Sequence, residues 1–173
     1  FGWATGFLAA ADAADAPLMA QPLAIHCSHV VDTATGKLLG ETTIVIDGKR
    51  IKEVKSGRID VAGAKTIELG DATCLPGLID SHTHLTSETS PTGYTDHVRW
   101  NTVAYAILST VYARRTLMAG FTTKRNVGDS ANESIALRNA INAGIVPGPR
   151  IFSAGKAIGS TGGHADATDG YRA

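Results

Sequence analysis

A mixed α/β fold is what this 173-residue sequence predicts, and three observations carry it. Short β-type runs separated by turn residues occupy the chain up to about residue 75. From Pro76 onward, strand-like apolar runs alternate with stretches of helical period. At the joint, Pro76-Gly77-Leu78-Ile79 opens an apolar strand that runs into Asp80, His82 and His84 at alternate positions. Strand, helix, strand, helix, strand is the series of parallel βαβ units.

Residues 1–21 read as a leader. Phe1 to Ala16 holds an apolar stretch and an Ala/Asp tract with neither an initiating Met nor a basic start. Small residues at Ala9-Ala10-Ala11 fit a secretory-signal remnant, which would place the protein in the periplasm or outside the cell. A flexible or engineered leader fits equally well, and the cytoplasm then stays open. In residues 22–75, Leu23, Ile25, Val30 and Val31 alternate loosely and predict one strand, and Asp32 to Gly36 a turn. Thr42 to Ile46 and Ile51 to Val54 predict two strands around Asp47-Gly48, a two-residue hairpin signal. Thr66-Ile67-Glu68-Leu69 adds a short strand closed by Gly70-Asp71. Such a set makes part of a small β sandwich. His26, Cys27 and His29 cluster there without a fourth ligand and read as ordinary strand or surface residues.

Residues 76–173 carry the strand–helix alternation. Val98, Asn101 and Thr102 lead a helical period through Tyr105, Leu108, Val111, Tyr112, Arg115 and Leu117, which Gly120 stops. Ser130-Ala131-Asn132-Glu133 has the form of a capping box. It opens a second helix with Ile135, Leu137, Ala140 and Ile141 inward and Gly144 at its end.

Composition narrows the partners. Sixteen basic residues balance sixteen acidic ones, so nothing suggests a nucleic acid or another polyanion. No apolar run approaches a membrane span, and no membrane partner is expected. Cys27 and Cys74 have neither metal-type nor redox-type spacing; they neither require nor exclude an oxidising compartment.

Residues two apart on a strand share a face, so Asp80, His82 and His84 are expected to project together. Two imidazoles so placed form a metal half-site suited to zinc and its first-row neighbours. Asp80, one layer deeper, is expected to orient His82 or the strand rather than touch metal. The plain alternative is a pair of core histidines bonded to carbonyls.

The string from Pro76 to His84 resembles the first barrel strand of the amidohydrolase superfamily. Further segments resemble it in order. They are the β region Leu38 to Leu69, Gly120 to Gly128 for a second barrel strand, Pro147 to Phe152 before a third, and Thr161-Gly162-Gly163-His164-Ala165-Asp166 after it. The resemblance covers residues 23–173. It points to the branch with imidazolonepropionase-like proteins, Xaa-Pro and Xaa-Arg dipeptidases and ochratoxinase-type amidases.

The resemblance implies a distorted TIM (β/α)8 barrel behind a small β-sandwich domain. A barrel needs about 250 residues, so the chain is expected to be the N-terminal part of a longer protein, with the first three barrel strands in residues 76–173. It implies one or two Zn2+ or similar ions on His82 and His84. A carboxylated lysine, two histidines and a basic aspartate would lie beyond Ala173, so no catalytic base is expected in this segment. His164 would bind substrate, with Asp166 holding its tautomer. Arg125 would point inward beneath the site or pair with Asp80. Lys124 departs from the apolar residue usual there and is expected to reach solvent along its stem. The implied activity is hydrolysis of a C–N bond in a dipeptide or N-acyl amino acid. Cyclic amides and imidazolones are the near alternative, and a non-catalytic member acting only by assembly the remote one. Partners would be a small amide or dipeptide substrate, the rest of the same protein and a second copy in a homo-oligomer.

Overall fold

The computed structural model describes residues 21–163, 165 and 166, and only the backbone of Tyr94 and His97. Two compact units meet between Pro76 and Gly77.

Among the described residues the first unit holds seven strands: β1 (Leu23–Cys27), β2 (His29–Asp32), β3 (Lys37–Leu39), β4 (Thr42–Asp47), β5 (Arg50–Ser56), β6 (Lys65–Glu68) and β7 (Thr73–Cys74). They form a four-stranded sheet, β5-β4-β1-β6, and a three-stranded sheet, β3-β2-β7. The single strand expected across residues 23–31 is therefore two, in different sheets. The break falls at Ser28, whose hydroxyl donates to the Gly70 carbonyl at 2.6 Å. The hairpin forms one residue later than its sequence signal. Asp47 pairs with Arg50, and the loop is Gly48-Lys49 with Gly48 at φ 56°, a backbone conformation open to glycine. A disulfide joins Cys27 to Cys74 across 47 positions, with Cα atoms 6.0 Å apart. His26 is buried, its ring nitrogens bonded to Glu68 Oε1 at 2.8 Å and to the Ile59 carbonyl at 3.1 Å.

The second unit runs β8 (Leu78–Thr83), α1 (Gly93–Arg99), α2 (Thr102–Met118), β9 (Phe121–Asn126), α3 (Glu133–Asn142) and β10 (Arg150–Ser153). Its strands are parallel in the order β10-β9-β8. The helix expected from Val98 is interrupted at Trp100, which is extended. Asn101 then caps α2, its side chain accepting the Ala104 N–H at 2.9 Å, as an N-cap asparagine does. The capping box is also redrawn. Glu133 reaches back to the Ser130 hydroxyl and the Ala131 N–H. The amide of Ser134, in the first turn of α3, is taken by Asp129, which also accepts the Asn132 N–H and the Ser134 hydroxyl.

Leu85, Ala113, Leu137 and Ile151 make the buried core, with Ile141 and Val146 against it. Because Ile151 faces α2 and α3, register assigns the faces of the sheet. Ile151 lies beside Lys124 and Lys124 beside Asp80, and neighbours on paired strands point to one side. The register then slips: Asp80 is opposite Lys124, yet Thr83 is opposite Asn126. Three steps on β8 match two on β9, which is a β-bulge. Asp80 and Thr83 consequently share the helix-covered face, while His82 and His84 project from the other. The expected common face of Asp80, His82 and His84 is corrected by this extra residue.

Candidate metal-binding site

His82, in β8, and His84, the residue after its end, lie side by side with ring centroids 5.7 Å apart and planes at 64°. Both are exposed, with half-buried Thr83 between them and buried Leu85 after them. His84 Nδ1 lies 2.9 Å from the Gly128 carbonyl oxygen. A carbonyl only accepts, so Nδ1 carries the proton and Nε2 keeps its lone pair outward. This is the tautomer a metal-binding histidine needs.

The strand ends are laced together beneath that ring. Asn126, fully buried, accepts the Leu85 N–H through Oδ1 at 2.7 Å and donates through Nδ2 to the Gly128 carbonyl at 3.3 Å. The Val127 N–H donates to the Thr83 carbonyl at 3.0 Å, and the Thr83 hydroxyl to the Arg125 carbonyl at 3.1 Å. Asn126 thus shares an acceptor with His84. Sequence reasoning assigned it no part. The available signal was an amide side chain closing an otherwise strand-forming run.

Asp80 is tied to the His82 backbone and to Lys124. Its Oδ1 accepts the His82 backbone N–H at 3.1 Å, and its Oδ2 accepts from Lys124 Nζ at 3.0 Å. The His82 amide first, and the Lys124 ammonium second, keep its carboxyl below the ordinary carboxylate range against the opposing effect of desolvation. Lys124 is 7 % exposed and lies 4.1 Å from the Phe121 ring centroid. The expectation that Lys124 reaches solvent is therefore wrong: a carboxylate and an aromatic face receive its ammonium inside the sheet–helix layer. Of the two expectations for Arg125, the pairing with Asp80 is corrected. The arginine is exposed on the histidine-bearing face and donates through Nη1 to the Ser81 carbonyl at 3.3 Å, so Lys124, not Arg125, partners Asp80. His164 lies outside the described residues. Asp166 accepts the Gly162 N–H at 2.9 Å.

Among the described residues no group of three or more His, Cys, Asp or Glu side chains could hold a metal ion. The two imidazoles offer part of a ligand set, and their donor chemistry, with the tautomer of His84, fits a zinc-type ion.

The Amidohydrolase family matches residues 73–169, a span that takes in β8, both histidines and β10. The chain belongs to the amidohydrolase family. Among solved structures it resembles a Xaa-Pro dipeptidase with bound methionine in the active site. Identity is 41% and the TM-score 0.78, over 87% of this chain and 37% of that one. A prolidase complexed with N-methylphosphonate-L-proline follows at 34% identity and TM-score 0.71, over 83% and 34%. The ochratoxinase of A. niger, at 22% identity and TM-score 0.61 over 77% and 31%, shares the fold. This amidohydrolase chain thus spans little more than a third of the length of the dipeptidase it resembles. No curated protein matches it. Among the described residues no helix is long and apolar enough to cross a membrane.

Proposed function

We propose that this chain contributes the first two metal ligands, His82 and His84, to a metal-dependent hydrolase of amide bonds. Its substrate class is a dipeptide or N-acyl amino acid with a free carboxylate, Xaa-Pro dipeptides first. The carrying observation is the His84 imidazole, whose Nδ1–H is engaged by the Gly128 carbonyl so that Nε2 is directed outward beside His82. The similarity to a Xaa-Pro dipeptidase and a prolidase supports the substrate class. A zinc-type ion, when bound, supplies Lewis acidity toward a carbonyl and toward water. The chain's own part is positional: Asn126 and Gly128 orient His84, and Asp80 fixes the backbone at His82. His164 is proposed to receive the substrate carboxylate.

The uncovered face also supports barrel closure. Ile79 is 72 % exposed and Phe152 59 %, both on the face that carries the histidines. Apolar side chains so exposed on a sheet are ordinarily covered by further structure. The remaining ligands and the base are proposed to come from that part of the protein.

The test uses the full protein that carries this segment. Elemental analysis should find one or two zinc-type ions per subunit, and Xaa-Pro dipeptides should be cleaved. His82→Ala and His84→Ala should each remove most of the metal and most of kcat while circular dichroism stays native. Full metal occupancy with unchanged turnover in either variant would sink the ligand assignment.

A further inference from the structure

The β8 bulge leaves one peptide unit outside the regular ladder. Pairing with β9 passes from Asp80–Lys124 to Thr83–Asn126, over Ser81 and His82. The peptide joining those two residues has its carbonyl on Ser81 and its N–H on His82. Side chains satisfy both groups. Arg125 Nη1 donates to the Ser81 carbonyl at 3.3 Å, and Asp80 Oδ1 accepts the His82 N–H at 3.1 Å. The second oxygen of that carboxylate is fixed by Lys124 Nζ at 3.0 Å. Lys124 is itself immobilised by burial and by the Phe121 ring.

We propose that Lys124 and Arg125, adjacent on β9 and acting on opposite faces of the sheet, clamp the Ser81–His82 peptide plane and so set the direction of the His82 imidazole. Lys124 acts through Asp80, and Arg125 acts directly on the carbonyl. Both are positioning residues. The two ends of a planar peptide cannot turn independently, so holding its carbonyl and its N–H fixes the direction of the N–Cα bond from which His82 projects. A bulge re-aims side chains, but its extra residue loses ladder bonds that would otherwise hold it; the neighbouring strand replaces them with side chains. The buried lysine has a reason under this account. An unpaired ammonium in that layer is strongly disfavoured, and it is tolerated because its carboxylate partner is held at the other oxygen by the strand it steadies.

This inference rests on the metal-ligand reading of His82. The experiment is binding of cobalt(II) to the full metal-free protein, measured by chelator competition and by the visible d–d spectrum, which reports ligand geometry. Lys124→Met and Arg125→Met should each weaken binding about tenfold, the lower end for partners behind a ligand, and alter the d–d bands. The metal-free unfolding midpoint should change little. Arg125→Lys should recover part of the loss, since it keeps a cationic donor. The combined variant should lose less than the product of the two single effects, because both act on one peptide. If Lys124→Met does not fold, exposed Arg125 decides through its own variant. Wild-type affinity and spectrum in the variants, with His82→Ala losing the metal, overturn the clamp and leave the ligand reading intact. Retention of cobalt by His82→Ala overturns the ligand reading instead.

Discussion

Asn126→Ala isolates the joint beneath the histidine pair. Asn126 has zero exposure and makes two bonds: Leu85 N–H to Oδ1 at 2.7 Å and Nδ2–H to the Gly128 carbonyl at 3.3 Å. Truncation leaves the Leu85 amide buried without its acceptor, which costs about 1–3 kcal/mol. The Gly128 carbonyl keeps the His84 Nδ1–H, so no second penalty arises there. The vacated volume adds about 1 kcal/mol, for a total of about 2–4 kcal/mol. Urea unfolding of the full metal-free protein should show a lower midpoint with an unchanged slope. Asn126→Asp gives the contrast. One oxygen still accepts from Leu85, but the other meets the Gly128 carbonyl as a second acceptor. That variant should gain stability as pH falls, when its protonated oxygen can donate. A loss below about 0.5 kcal/mol in the alanine variant, within the range of an indifferent surface change, would refute the account.

Two further outcomes are expected, one beside Asn126 and one in the first unit. A Cβ on Gly128 would lie 2.7 Å from Ala157 Cβ and 3.1 Å from its Cα. Gly128→Ala should therefore displace the carbonyl that orients His84, destabilise by about 1–3 kcal/mol and weaken metal binding; Ala157→Gly should restore part of both, as thermal melts and metal titration would read. In the first unit, the Thr35 hydroxyl and then the Ala34 N–H keep the Asp32 carboxyl below its ordinary range. A depressed carboxylate stabilises above its unfolded value and loses that contribution as pH falls through the folded one. Asp32→Asn should thus flatten part of the fall in melting temperature below about pH 4, and an unchanged acid limb would exclude the turn as its source.

The legible parts of the sequence are those that local chemistry decides. Periodicity and Gly120 marked the helix that ends before β9, and Gly48 marked the hairpin to within one residue. Pro76-Gly77 and the alternating Asp80, His82 and His84 marked the strand of the candidate site. The illegible parts depend on what lies across the sheet. A bulge arises from mismatch between two strands, so β8 alone gave no sign that Asp80 would leave the histidines' face. For the same reason it is Lys124, expected in solvent, and not Arg125 that pairs with Asp80. Asn101 could end one helix and cap the next, or continue a single long one; the extended backbone at Trp100 decides between them. Cys27 and Cys74 become partners only because β2, which follows Cys27, pairs in parallel with β7, which contains Cys74.

That disulfide changes what a protease can do to the first unit. The hairpin tip at Gly48-Lys49 is exposed, a place where trypsin-like enzymes cut readily. It lies inside the loop that Cys27 and Cys74 close. A nick there divides the polypeptide but not the molecule: the two pieces stay covalently joined and migrate as one band without reductant. They part only when thiol and denaturant act together, so a clipped sample can pass for an intact one on a non-reducing gel.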